Sequence, residues 1–205
     1  MSVPVDLRFL GEVFVTLFVI MDPPGTLPIF LALTAGARQR ERIRAARQAV
    51  SGALLVIVAF AVFGQGILAY LNVTLPALQA AGGLLLLLIA LELLTGREDE
   101  PVRTENVNIA FVPLGTPLLA GPGAIVATIV FVTRSRDLGD RLAVALGIVA
   151  VHLVLYLTMR FAGVIHRLLR DSGVTLVTRI AGLLLSAIAV QLVADAVRAF
   201  VTGTA

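Results

Sequence analysis

One stretch of the chain groups a carboxylate, three prolines and a glycine: Met21-Asp22-Pro23-Pro24-Gly25-Thr26-Leu27-Pro28. It lies near the middle of an apolar segment that runs from about Phe9 to Leu33. Proline lacks a backbone N–H and its ring clashes with the preceding helical turn, so these prolines predict a break in a membrane helix. Backbone groups freed at membrane depth need protein or water partners. The stretch therefore predicts a site.

A matching stretch follows about a hundred residues later, inside the apolar run from about Val107 to Val132. Its residues are Gly115-Thr116-Pro117-Leu118-Leu119-Ala120-Gly121-Pro122-Gly123-Ala124. At an offset of 98, Pro23-Pro24-Gly25 aligns with Gly121-Pro122-Gly123. Matched breaks in two halves of a chain are typical of transporter substrate sites.

The two breaks would present half-helix ends near the membrane midplane. A helix N-terminus offers N–H groups and partial positive charge to a carboxylate, whereas a C-terminus offers carbonyls to an ammonium or a cation. Two junctions of opposite orientation would hold a zwitterion, and glycines would let the backbone approach it. The predicted substrate-binding residues are Asp22, Pro23, Pro24, Gly25, Thr26, Thr116, Gly121, Pro122, Gly123 and Ala124.

Two of the candidate side chains also have structural interpretations. Asp22 is a site candidate because a carboxylate is costly at membrane depth, but it would equally cap a half-helix after the proline break. His152 falls near the middle of the fifth apolar run, and His152 and Asp22 are candidates for proton coupling. The alternative for His152 is a ring satisfied by a neighbouring backbone carbonyl.

Composition places these breaks in a multi-pass membrane protein. The chain is 59% hydrophobic and only 14% charged, with a mean hydropathy of +1.00, whereas soluble domains carry about a quarter charged residues. It has no cysteine, which excludes disulfides, thiolate catalysis and Cys-ligated metals. No cofactor or metal is predicted.

Six apolar runs are long enough to cross a membrane, since a spanning helix needs about 20 residues. They are residues 9–34, 48–70, 75–95, 107–132, 140–161 and 174–199. The odd-numbered linkers hold ten arginines: Arg38, Arg40, Arg42, Arg44, Arg47, Arg97, Arg103, Arg160, Arg167 and Arg170. The opposite side holds Arg8, Arg134, Arg136, Arg141 and Arg198. The positive-inside rule therefore predicts cytoplasmic odd linkers and extracytoplasmic termini.

The third and sixth runs repeat each other. At an offset of 99, residues 83–93 align with 182–192, pairing Gly83 with Gly182 and Glu92 with Gln191. Three spans followed by three similar spans predict a 3+3 inverted-topology repeat. The predicted fold is an all-α membrane protein of six transmembrane helices, with helices 1 and 4 broken near the midplane. Residues 1–205 form one transmembrane domain, with repeat one at 9–95, an arginine/acid linker at 96–106 and repeat two at 107–199.

The two broken-helix motifs resemble the paired signatures of the MarC family, which includes the SnatA neutral amino acid transporters. The motif residues are Phe18 through Phe30 and Pro117 through Ile125, and the resemblance extends over essentially the full length. The chain has Thr26 where that family often has asparagine. The resemblance implies a multi-pass protein of the bacterial inner membrane.

Together these features predict a secondary transporter of small neutral amino acids, such as glycine or alanine, that works by alternating access with a proton or sodium ion as coupling ion. The absence of a P-loop motif leaves direct ATP drive unsupported. An alternative is an exporter or channel for other small metabolites or drugs. An intramembrane enzyme is the least favoured class, because aspartyl protease chemistry needs two carboxylates in contact. The partners are the bilayer and the solute, and no nucleic acid is expected.

Overall fold

The computed structural model describes residues 5–34, 36–95 and 119–203, and every regular element within these ranges is an α-helix. The helices are α1 (Leu7–Met21), α2 (Thr26–Leu33), α3 (Gln39–Tyr70), α4 (Leu75–Thr95), α5 (Pro122–Arg134), α6 (Leu138–Arg160) and α7 (Ala162–Thr202). Four of them contain stretches long and apolar enough to cross a membrane, namely α3, α4, α6 and the Ser172–Thr202 part of α7. The described chain is thus built as a helical, multi-pass membrane protein.

Two helices extend at least nine residues beyond the predicted spans. Helix α3 begins nine residues before the predicted start at residue 48, because its arginine-rich first turns are good helix formers and the Arg38 N–H donates to Glu41 Oε2 at 2.9 Å. Helix α7 begins at Ala162 and is interrupted at Arg170, whose φ of 54° and ψ of 176° are not helical. The predicted sixth span at 174–199 lies within its longer part.

The predicted break in the first span is confirmed. Helix α1 ends at Met21 and α2 begins at Thr26, with a turn over residues 23–25 between them. Neither helix alone reaches the length of a span, since α1 has 15 residues and α2 has eight. For the second break, the structure describes only the later half. Residues 96–118, which include the predicted linker at 96–106 and Thr116, lie outside the described residues.

Packing brings the two broken segments into one core. Helix α4 packs along α7, and α1 packs along α6, where Gly147 lies against Val13. The short helices cross between these pairs, α2 against α6 and α7, and α5 against α3 and α4. One buried cluster joins Leu27 of α2 to Ala124 of α5. The first break and the Gly123–Ala124 end of the second therefore lie against one buried core.

Candidate functional site

The first break is organised by Asp22. Its backbone adopts a left-handed conformation, with φ of 40° and ψ of 68°, and ends α1 by donating its N–H to the Phe18 carbonyl at 3.1 Å. A non-glycine residue pays a conformational cost at positive φ, so surrounding contacts must hold it there. One such contact is the Gly25 N–H, which donates to Asp22 Oδ1 at 3.2 Å. The side chain is almost fully buried.

The polar groups of this turn largely satisfy one another. The Thr26 N–H donates to the Asp22 carbonyl at 3.1 Å, and the Thr26 hydroxyl donates to the Pro23 carbonyl at 2.8 Å. The Leu27 N–H donates to the Pro24 carbonyl at 3.2 Å and thereby starts α2. Three carbonyls exposed by the proline break are thus paired within the turn, as a buried backbone requires. Asp22 therefore caps the break, and its predicted role in substrate binding stays a prediction.

Gly25 makes room for the Asp22 carboxylate. A Cβ on Gly25 would overlap the Asp22 side chain, with the carboxyl carbon only 2.8 Å away. The sequence predicts that this glycine exposes backbone to a ligand. In the structure the space is occupied by the neighbouring carboxylate, so the glycine's first role is to let Asp22 fold over the turn.

The second break ends at the first turn of α5. Gly121 is the N-cap, with φ of −61° and ψ of 164°, and Pro122 takes the first helical position, where its missing N–H costs nothing. The Ala124 N–H donates to the Gly121 carbonyl at 3.0 Å. A helix therefore starts at the predicted position, and its N-terminus supplies partial positive charge.

The two breaks lie next to each other. A Cβ on Gly123 would lie 2.8 Å from Leu86 Cγ and 3.4 Å from Ile20 Cγ2. The last turn of α1 and the first turn of α5 are thus in contact, with α4 packed against both. As at Gly25, protein side chains occupy the space that the Gly123 backbone leaves. The pairing of a helix end near Asp22 with the N-terminus of α5 follows from this contact.

His152 is buried on α6, and its Nδ1 lies 2.8 Å from the Ile148 carbonyl oxygen. This is the backbone-satisfied arrangement that the sequence offers as the structural alternative. The other ring nitrogen, Nε2, has no hydrogen-bond partner within the residues that the structure describes. A part for His152 in proton coupling stays a prediction.

A cleft of about 660 Å³ opens between α1, α4, α5 and α7. Its apolar wall is formed by Ala127, Val130, Phe131, Ala187, Ile188 and Leu192. Its polar groups come from Glu12, Thr16, Gln79, Arg134, Gln191 and Asp195. None of the predicted site residues that the structure describes lines this cleft. Ala127 is one helical turn from Gly123, about 6 Å along the axis, so the cleft ends close to the breaks.

Arg134, the last residue of α5, is held in the cleft lining by several contacts. Its Nη1 lies 2.7 Å from Glu12 Oε1, and its guanidinium carbon lies 5.8 Å from the ring centroids of both Phe9 and Phe131. Across the cleft, the Gln191 amide donates to Asp195 Oδ1 at 2.8 Å. A guanidinium held by an ion pair and two rings can present further N–H groups to a carboxylate. The cleft as a whole carries two carboxylates and one guanidinium.

The Glu12–Arg134 pair is not predicted from the sequence. A usable signal does exist on α1, because Glu12 and Thr16 are four residues apart and share one face of an otherwise apolar helix. The partner of Glu12 gives no such signal. Arg134 is 122 residues from Glu12 in the chain, and its sequence context indicates only an ordinary loop arginine.

Comparison with known proteins places the whole chain in one family. Residues 7–201 match the family described as MarC family integral membrane protein. A UPF0056 membrane protein of Methanocaldococcus jannaschii is 36% identical over 200 residues, covering 94% of this chain and 98% of the relative. The UPF0056 membrane protein YvbG of Bacillus subtilis is 33% identical, covering 90% and 92%, and YhcE of Escherichia coli is 30% identical, covering 98% and 95%. No solved structure matches the chain.

Proposed function

Because this chain belongs to the MarC family of integral membrane proteins, we propose that it is a secondary transporter that moves small neutral amino acids, such as glycine and alanine, by alternating access. The substrate's ammonium would face the Asp22 side of the first break. Its carboxylate would face the N-terminus of α5. A proton or sodium ion would couple the movement to an ion gradient.

The observation that carries this proposal is the contact between the two breaks. The end of α1 meets the start of α5 through Ile20 and Gly123. A buried carboxylate and a helix N-terminus on adjacent segments offer complementary charges to the two ends of an amino acid. The cleft supports the proposal because its lining follows α5 from Arg134 to Ala127, one turn from Gly123.

An inverted repeat would explain how the pathway opens to either side. We propose the six-span, 3+3 arrangement, in which α2 corresponds to α5 and α4 corresponds to the second part of α7. The packing supports this correspondence, since α2 contacts α7 while α5 contacts α4. Exchanging the two repeats exchanges these two contacts. Rocking one repeat against the other would then close the cleft and open its counterpart.

We further propose that the protein resides in the bacterial inner membrane with both termini outside the cytoplasm. The arginine asymmetry between the two sets of linkers supports this orientation. In that orientation Glu12, Arg134 and Asp195 lie on the extracytoplasmic side, and the cleft between them would be an outward-facing vestibule.

An exporter of larger metabolites is the second candidate. A volume of about 660 Å³ lies in the range of pockets for drug-sized ligands, roughly 300 to 1,000 Å³, and exceeds what glycine needs. In this alternative the cleft would be the main binding site and the breaks would act as hinges.

Thermal unfolding of the purified protein with matched ligands tests the proposal. Glycine and alanine should raise the unfolding midpoint, because a ligand that binds the folded state stabilises it. N-acetylglycine, which lacks the ammonium, and ethanolamine, which lacks the carboxylate, should not. A rise with larger solutes alone would favour the exporter, and equal effects of glycine and its two analogues would refute recognition of a zwitterion.

A further inference from the structure

The segment between α6 and the long part of α7 connects two spans on one side of the membrane. Helix α6 and Ser172–Thr202 each have the length and composition of a span, so the chain must stay on one side between Arg160 and Ser172. Most of this connection is helical, since α7 starts at Ala162 and is regular up to Arg170. The eight residues from Ala162 to Leu169 extend about 12 Å. We call Ala162–Leu169 the connecting helix.

The backbone at Arg170 separates the connecting helix from the span that follows. Its φ of 54° is a backbone conformation that residues other than glycine rarely adopt. The interruption therefore costs conformational free energy, and surrounding contacts must hold it in place. The span itself needs no extension, because Ser172–Thr202 already has 31 residues. The connecting helix is therefore a separate element and not a continuation of the transmembrane helix.

The connecting helix has three faces that differ in burial and polarity. Ala162 is fully buried, and Ile165, three residues on, packs against the same core. Val164 and Leu168, spaced by one turn, are 66% and 83% exposed, and Phe161 just before them is 48% exposed. The third face carries Gly163 and Arg167, also one turn apart and exposed. Apolar and basic groups are thus segregated around the axis, as in helices that lie in a membrane interface.

Exposed arginines lie along and beside the connecting helix. Arg160, Arg167 and Arg170 are all exposed, and residues 160–170 contain no acidic residue. The guanidinium of Arg160 lies 5.7 Å from the Phe161 ring centroid, which places a cation beside the apolar face. A water-facing connection gains nothing from exposed Phe161, Val164 and Leu168, whereas a bilayer interface buries them and places the arginines at the phosphate level.

We propose that the connecting helix lies in the membrane interface and binds the headgroups of anionic phospholipids. Phe161, Val164 and Leu168 enter the upper acyl region, and Arg160, Arg167 and Arg170 contact the phosphates. The site anchors the junction of α6 and α7 to the lipid surface.

The placement is testable by fluorescence because the chain contains no tryptophan. Leu168→Trp and Gly163→Trp put a single indole on the apolar and basic faces, and the structure places nothing within 4 Å of a Cβ added at Gly163. In phosphatidylcholine vesicles, Leu168→Trp should emit at shorter wavelength and be quenched more by a lipid with a nitroxide on its upper acyl chain. Gly163→Trp should be quenched more by acrylamide. Acrylamide quenching of both indoles to the same extent would overturn the interfacial placement.

The headgroup specificity needs a second measurement. The thermal unfolding midpoint of the wild type should rise when phosphatidylglycerol replaces part of the phosphatidylcholine in nanodiscs. The double variant Arg167→Gln/Arg170→Gln should lose most of that rise. As a matched control, Arg136→Gln/Arg141→Gln removes the same charge from a turn where Asp137 and Asp140 already balance it, and should keep the rise. No rise in the wild type, or an equal loss in both variants, would refute a phospholipid site at this helix.

Discussion

Gly83 of α4 and Gly182 of α7 make reciprocal contacts where these two helices cross. A Cβ on Gly83 would lie 2.8 Å from the Ala189 carbonyl oxygen, and one on Gly182 would lie 3.3 Å from the Ala90 carbonyl oxygen. Adding 99 to Gly83 gives Gly182, and subtracting 99 from Ala189 gives Ala90, so exchanging the two segments turns one contact into the other. The proposed inverted repeat predicts such reciprocal contacts, because its two halves would be related by a two-fold axis. The glycines allow the two backbones to approach closely.

The crossing predicts a stability effect. Gly83→Val and Gly182→Val should each lower the free energy of unfolding by about 1 to 3 kcal/mol, because the new side chain meets backbone that cannot move aside. Thermal unfolding in detergent measures this. Gly66→Val on α3 is the control, since the structure places nothing within 4 Å of a Cβ there. If all three variants unfolded at the same temperature, the close crossing would be wrong.

The first break predicts a coupling between two neighbours. Gly25→Ala alone should destabilise the protein, because its methyl group would overlap the Asp22 carboxylate. In an Asp22→Ala background the same change should cost much less, and the coupling free energy should be at least about 1 kcal/mol. The experiment is a double-mutant cycle on chemical unfolding. Additive effects would show that the Asp22 side chain does not lie over Gly25.

The cleft predicts that Arg134 matters for the solute more than for folding. Both members of the Glu12–Arg134 pair are about half exposed, so Arg134→Gln should change the free energy of unfolding by less than about 1 kcal/mol. Uptake should nevertheless show a raised KM, because glutamine lacks the charged guanidinium whose paired N–H groups can bind the carboxylate of the solute. Arg198→Gln, an exposed arginine near the end of α7 and outside the cleft lining, is the control. Equal KM values for the two variants would remove Arg134 from the pathway.

The distribution of arginines separately predicts the orientation of the protein in the membrane. A C-terminal alkaline phosphatase fusion should be active and a C-terminal green fluorescent protein fusion dark, because both termini are proposed to be extracytoplasmic. The opposite pair of results would invert the assigned topology and place the cleft on the cytoplasmic side.

Local sequence determines much of this fold. The bounds of α4 agree with the predicted run at 75–95, and prolines alone locate the break after Met21. The interruption at Arg170 has no such signal, since neither proline nor glycine occupies that position. The directions in which side chains point could not be predicted from the sequence either. That Leu86 fills the space beside Gly123, or that Glu12 meets Arg134, depends on how distant helices pack and not on local pattern.

Counterflow in proteoliposomes tests the central claim most directly. Vesicles loaded with unlabelled glycine should accumulate labelled glycine transiently, since a carrier exchanges solute across the membrane whereas a channel does not. Asp22→Asn should weaken glycine binding about ten- to a hundredfold, as expected for losing a charge-assisted hydrogen bond. Asp6→Asn, which keeps an N-cap at the exposed start of α1, should behave like the wild type. Accelerated exchange with this pattern supports a carrier with its site at the breaks, and absence of counterflow in the correctly inserted wild type contradicts it.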